Sequence, residues 1–206
     1  MAMNTDLDII EIEDVIPVDY QRHILQTMTS QEFSWILNTN MVSGDQWAAD
    51  NPQNHVGFNH YFYEQGKYAS QWFNLFYPLV LSITSQTKLQ FNRLVRMRAN
   101  LTLPNSSAIE DYHMPHIDSF FPHMNAIYYV NDSDGDTVIF NETNENYSSG
   151  QDDIMRIQSD KFTIKKRVTP KQGKILIFPG KYYHSSSIAK NSKFRCVLNI
   201  NLEKIL

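Results

Sequence analysis

FRCVLNINL, from Phe194 to Leu202, is the stretch on which the fold turns. Alternate residues of an extended chain point to opposite faces. One face of this segment carries Phe194, Cys196, Leu198, Ile200 and Leu202, all apolar and fit to pack beneath helices. The other carries Arg195, Val197, Asn199 and Asn201. That contrast predicts a strand with a core on one side and a polar cavity on the other. A buried guanidinium without a partner is prohibitively costly, so Arg195 requires an anion. The preferred geometry is a bidentate pair with a carboxylate. A dicarboxylate ligand would provide it, and so would an internal Asp or Glu.

Outward from this strand, the two-residue period extends back to residue 91. It predicts strands near 91–101, 123–131, 137–141, 161–168, 174–178, 184–188 and 193–203. The turn sequences DSDGD at 132–136, PKQG at 170–173 and PGK at 179–181 separate several of them. Before residue 91, a short strand in IIEIED precedes a helical pattern through Tyr20, Ile24, Leu25 and Met28. A second helix is predicted over 69–83, where Trp72, Phe76, Leu79, Val80 and Ile83 share a stripe and Pro78 should introduce a kink. Residues 29–66 show no clear period. Residues 142–160 are polar and patternless, which predicts a long loop. The expected fold is mainly β, a jelly roll or small barrel with N-terminal helices packed on one sheet. One domain is expected over 1–206, with 1–90 as helical support and 91–203 as the β core.

Composition sets limits. With 42% hydrophobic and 19% charged residues, a packed core is attainable and disorder is excluded. Twelve Phe and eleven Tyr against seven Gly favour strands over flexible linkers. No apolar run approaches the roughly 18–20 residues of a membrane helix. The acidic start MAMNTDLDIIEIED lacks the features of a signal peptide, and one cysteine, Cys196, excludes an internal disulfide; both suit a reducing cytoplasm. A net charge of −4 and a pI near 5.9 argue against nucleic acid as a partner. The one basic cluster is Arg93, Arg96 and Arg98. The last two alternate with Asn100 on one strand face, which lines either a substrate approach or solvent.

His116 and Asp118 are two residues apart, so an extended segment points both to one side. His184 follows later, just before another predicted strand. Two imidazoles and one carboxylate on one face of an octahedral ion are the ligand set of non-haem iron(II), with positions left open for other ligands. His113 and His123 flank the motif but have no carboxylate two residues on, and are expected to be loop histidines near a pocket mouth.

The motifs HID at 116–118, NAIYYVN at 125–131, DGDTVIF at 134–140 and PKQGKILIF at 170–178 precede His184 and Arg195. In this order they resemble the prolyl 4-hydroxylase-like branch of the 2-oxoglutarate/iron(II)-dependent oxygenases, over about residues 91–203. The resemblance implies a double-stranded β-helix, the cupin-like jelly roll. It also implies that His116, Asp118 and His184 are the metal-holding, catalytic residues. Arg195 would bind the far carboxylate of 2-oxoglutarate, Tyr129 would hydrogen-bond it, and Asn199 on the same strand face is expected to join them. Iron(II), 2-oxoglutarate and dioxygen are the implied cofactors, with ascorbate as an accessory reductant. Many family members carry a tyrosine on the strand before the His-x-Asp loop; here Leu101 stands near that place, and Asn100 or Tyr112 could substitute.

The implied reaction decarboxylates 2-oxoglutarate to succinate and hydroxylates an unactivated C–H bond. The expected substrate is a protein or peptide side chain, proline first, clamped by the loops 102–115 and 142–160. The alternatives are a hydroxylase of a free amino acid or other small molecule, and a cupin-like binding module without catalysis. The latter needs neither the triad nor Arg195.

Overall fold

The computed structural model describes residues 9–39, 41, 56–87, 89–108, 111–147 and 162–205. In chain order the elements are β1 (Ile10–Ile12), α1 (Val18–Met28), β2 (Ile36–Asn38), β3 (Gly57–Glu64), β4 (Lys67–Tyr68), α2 (Phe73–Thr87), β5 (Phe91–Thr102), β6 (His123–Tyr129), β7 (Thr137–Thr143), β8 (Ile164–Val168), β9 (Ile175–Pro179), β10 (Tyr182–Ser186) and β11 (Arg195–Lys204). The larger sheet runs β1-β9-β6-β11-β5-β3-β2, with β4 paired to β3, and the smaller runs β10-β7-β8. Every pairing is antiparallel. This mainly β arrangement, with two helices among the described residues, is consistent with a jelly roll.

The alternation in β11 separates two cores. Cys196, Leu198, Ile200 and Leu202 join a cluster that also holds Ile24 and Met28 of α1 and Phe76, Leu79, Val80 and Ile83 of α2. Val197 joins a second cluster, where Ile127, Tyr129, Leu176 and Phe178 of the larger sheet meet Ile139 and Val168 of the smaller. Strand β6 is split likewise, with Met124, Ala126 and Tyr128 in the first cluster and Ile127 and Tyr129 in the second. The polar residues of β11 therefore lie on the side of the larger sheet that looks toward the smaller one.

The N-terminal ninety residues are not simply helical. Strands β2, β3 and β4 lie there, and β3 pairs with β5 to extend the larger sheet. Its sequence GFNHYFYE hides the period. His60 sits among the rings of Phe33 and Phe62 at 4.4 and 4.7 Å, so a polar residue occupies the apolar face. Helix α2 keeps its apolar stripe at the expected spacing and continues through Pro78 to Thr87.

Phe76 is fully buried and its ring lies 4.3 Å from that of Phe62, centroid to centroid. Phe76→Ala should destabilise the fold by about 3–5 kcal/mol, the usual cost of removing a buried aromatic ring. Chemical denaturation measures it; a loss below about 1 kcal/mol would mean that α2 is not part of the main core.

Candidate metal centre

His116 and His184 are brought together by the backbone. The N–H of each donates to the carbonyl of the other at 3.0 Å, an isolated antiparallel bridge beside a second one at Tyr112 and Ser187. These bridges lay residues 112–116 along β10. The two imidazole rings are 4.7 Å apart, centroid to centroid. Each Nδ1 faces a backbone carbonyl two residues back, Met114 at 3.1 Å for His116 and Tyr182 at 3.3 Å for His184. With Nδ1–H donated there, Nε2 is the bare nitrogen in both rings, the state a metal ligand needs.

Asp118 completes the group. Its Oδ1 accepts from Arg96 Nη2 at 2.8 Å, and its Oδ2 accepts from Asn199 Nδ2 at 3.0 Å and Asn201 Nδ2 at 3.1 Å. His184 Nε2 is 3.5 Å from Oδ2. One ligand atom from each of His116, Asp118 and His184 lies within 4.8 Å of the other two. Burial by itself would raise the Asp118 carboxyl; the Arg96 charge and the two histidines outweigh it and hold the group well below the carboxylate range. Burial, then the neighbouring His184, pushes His116 down to about 4, so at neutral pH it is an uncharged imidazole. Two imidazole nitrogens and one carboxylate oxygen are a donor set that fits a divalent transition metal.

Arg195 lies at the other end of the β11 face and is buried. Its Nε donates to the Gly135 carbonyl at 2.7 Å and its Nη2 to Thr137 Oγ1 at 3.0 Å. Among the described residues no Asp or Glu forms an ion pair with it, so the internal salt bridge that would also satisfy this strand face is absent there. Tyr129 does not reach Arg195 directly: its hydroxyl donates to the same Thr137 Oγ1 at 2.8 Å. With both lone pairs of that oxygen engaged, the Thr137 O–H is left as a donor. Sequence reasoning passed over Thr137, although DGDTVIF contains it. Gly135 is required as well. A Cβ there would lie 2.9 Å from Arg195 Cδ and 3.2 Å from the Ser187 carbonyl. Asp134 anchors this turn by accepting from Ser192 Oγ and from the backbone N–H groups of Lys190, Asn191 and Ser192.

One cavity connects the two ends, lined among others by His116, Arg98, Asn100, Ser185, Arg195 and Asn199. Asn199, expected beside a co-substrate, lines this cavity with Arg195 and donates its amide N–H to Asp118. Of the two substitutes for the family tyrosine, Asn100 lines the cavity. Tyr112 packs 5.0 Å from the Phe140 ring in a separate apolar cluster. His123 is not a loop residue: it begins β6, is buried, and lies outside the metal cluster. His113 does line the cavity. In the described parts of 102–115, the N–H groups of Asn105 and His113 donate to the carbonyls of Ala189 and Ser186; residues 109–110 lie outside the described residues. Most of the expected loop 142–160 lies outside the described residues.

No protein-family model matches the sequence, and no curated protein does either. Solved structures do match. A prolyl-4-hydroxylase of Pseudomonas putida aligns with a TM-score of 0.56 at 14% identity, over 95% of this chain and 92% of that one. A prolyl hydroxylase from Trichoplax adhaerens, in complex with a hypoxia inducible factor oxygen degradation domain peptide fragment, gives 0.62 at 11%, over 95% and 83%. The epimerase SnoN, in complex with Fe3+, alpha ketoglutarate and nogalamycin RO, gives 0.56 at 12%, over 95% and 78%. At these identities the likeness is one of fold. The chain thus shares its fold with 2-oxoglutarate/iron(II) oxygenases, prolyl 4-hydroxylases among them.

His184→Ala should abolish iron(II) binding at little cost to folding. Asp118→Ala should abolish it too, and also lose on the order of 3 kcal/mol of stability, because Arg96 and two asparagines lose their shared acceptor. Anaerobic titration and denaturation of each variant provide the check. Wild-type affinity for iron(II) in either one would remove that residue from the ligand set.

Proposed function

We propose that the chain is an iron(II)- and 2-oxoglutarate-dependent oxygenase that hydroxylates an unactivated C–H bond. The observation that carries this reading is a cavity lined both by His116 of the His-Asp-His cluster and by a buried arginine that has no acidic ion-pair partner among the described residues. His116, Asp118 and His184 would hold the metal. Arg195 would take the far carboxylate of the oxo-acid, assisted by the Thr137 hydroxyl, with Tyr129 acting through Thr137. Bound iron(II) would supply the redox chemistry by which dioxygen and 2-oxoglutarate yield succinate, carbon dioxide and a hydroxylated substrate, with ascorbate as an accessory reductant. The protein's own part is positioning. Arg96, Asn199 and Asn201 fix the carboxylate ligand, the Met114 and Tyr182 carbonyls fix the imidazole tautomers, and the sheet interior limits access of water.

Within that reaction class, prolyl or another side chain of a peptide is one substrate reading, supported by the peptide bound to the Trichoplax relative in fold. A free small molecule is the other. It is favoured by the polar cavity wall beside His116 and by the backbone bonds that hold Asn105 and His113 against Ala189 and Ser186.

Arg195→Ala should weaken 2-oxoglutarate binding by about 1.5–3 kcal/mol, the range for a charge-assisted hydrogen bond, and Tyr129→Phe by about 0.5–1.5 kcal/mol. Calorimetry on the iron(II) form under argon measures both, and succinate release in air reports turnover. Unchanged 2-oxoglutarate affinity in Arg195→Ala would make that arginine structural and remove the main support for the oxo-acid.

A further inference from the structure

Among the buried polar side-chain atoms without a hydrogen-bond partner in the described residues are Arg98 Nε, Asn100 Oδ1 and Asn59 Oδ1. Arg98 and Asn100 are alternate residues of β5 and both line the cavity beside His116. Asn59 of β3 is the cross-strand partner of Asn100, so the two side chains share a face. Tyr61, the cross-strand partner of Arg98, steadies the guanidinium. Its hydroxyl accepts from Nη1 at 3.3 Å, and its ring centroid lies 5.6 Å from Cζ. Buried polar groups in native folds are almost always satisfied, so a guanidinium N–H and two amide oxygens left open on neighbouring strands call for a partner that the described residues do not supply.

Position and charge define that partner. Arg98 pairs in register with Asn199, which holds Asp118, so it stands at the level of the metal cluster. Arg195 pairs with Thr102, at the far end of the same face. Arg96 is matched by Asp118, whereas Arg98 and Arg195 form no ion pair among the described residues. An Arg98 guanidinium without an ion pair among the described residues leaves unmatched positive charge beside His116, even with Glu64 in register with Arg96 and the charge of Asp136 acting on Arg195. A second anionic group at Arg98 reduces it. A peptide unit offers an acceptor and a donor too, but no charge.

We propose that Arg98, Asn100 and Asn59 form the seat for the head group of a free α-amino acid, the molecule to be oxidised. Its carboxylate lies on the Arg98 guanidinium and its ammonium on the two amide oxygens. The assignment rests on the oxygenase reading and selects a free amino acid over a residue inside a polypeptide.

The test is anaerobic calorimetry on the protein carrying iron(II) and 2-oxoglutarate. The probes are the L-amino acids, their C-terminal amides, their N-acetyl derivatives and an end-blocked proline-containing peptide. At least one free amino acid should saturate the site, and both of its blocked forms should bind tenfold or more weakly. Arg98→Gln should lose the preference for acid over amide while binding 2-oxoglutarate as the wild type does. Asn100→Ala should lose the preference for the ammonium over the N-acetyl form, which gives a second test if Arg98→Gln does not fold. An end-blocked peptide binding as tightly as any free acid overturns the proposal, as does a protein that binds 2-oxoglutarate but no amino acid. So does a loss of 2-oxoglutarate affinity in Arg98→Gln as large as that in Arg195→Ala, which would give Arg98 to the co-substrate. Failure of the unsubstituted protein to bind 2-oxoglutarate would instead count against the oxygenase reading. The same titration on the protein without metal or oxo-acid then tests the head-group seat alone.

Discussion

The carboxylate of Asp118 is where three strands and the metal cluster meet. Arg96 of β5, Asn201 of β11 and Asn125 of β6 stand side by side in the sheet register. Arg96 donates through Nε to Asn201 Oδ1 at 2.8 Å and through Nη2 to Asp118. Asn201 Nδ2 donates to Asp118 and, at 2.7 Å, to Asn125 Oδ1. A carboxylate with a nearly inaccessible side chain is tolerated only because this row satisfies both of its oxygens. The same row fixes Asp118 relative to the larger sheet, while the His116–His184 bridge fixes both rings relative to the smaller one. The ligand set is therefore held by backbone pairing and a shared polar row, in the manner a preorganised site requires.

The far end of the face is built by the opposite logic. Among the described residues Arg195 donates hydrogen bonds only to neutral acceptors, the Gly135 carbonyl and Thr137 Oγ1, and Asp136 acts on it through its charge without an ion pair. Asp134, two residues before Asp136 and next to Gly135, could have been a counterion but faces Ser192 and the 190–192 backbone instead. Ser192 leads the bonds that hold its carboxyl far below the usual range, and they hold the turn as well. A guanidinium that the described residues orient without an ion pair is what the proposed carboxylate site asks for.

How much of this could be read in the sequence depends on whether a residue's chemistry agrees with its face. On β11 it did: the alternation of Phe194 to Leu202 separates apolar from polar, and the structure places the two sets in different surroundings. The pairing of His116 with Asp118 was legible for the same reason, since a spacing of two in an extended segment is a geometric statement. On β3 the chemistry and the face disagree. His60 is packed among aromatic rings, donates from Nδ1 to the Ser34 carbonyl and meets Ser70 Oγ at Nε2, whereas Asn59 and Tyr61 share the opposite face with Asn100 and Arg98, so no hydrophobic period survives. The asparagines of β11 show a different limit. Their presence marked a polar face, but only the register against β5 shows that Asn199 and Asn201 serve Asp118. Thr137 escaped notice because a threonine in a strand is ordinarily a packing choice, and its role exists only where Tyr129 and Arg195 converge on one oxygen.

Strand β5 ties these features into one division of labour. Its cavity face carries Arg96, Arg98, Asn100 and Thr102 in succession, and each stands at a defined level against β11: Asn201, Asn199, Val197 and Arg195. Arg96 belongs to the metal ligand and Thr102 to the level of the buried arginine. Between them Arg98 and Asn100 stand opposite Asn199 and Val197, neither of which satisfies them: Asn199 Nδ2 is engaged with Asp118, and Val197 has no polar group. Arg98 Nε and Asn100 Oδ1 thus stay open in the middle of the row, with Asn59 Oδ1 on the adjoining strand, while Glu64 Oε2 and Asn125 Nδ2 are the open atoms on the strands beside Arg96 and Asn201. A strand whose ends are satisfied by the protein and whose middle is not has one place left for a ligand head group, and that place adjoins His116.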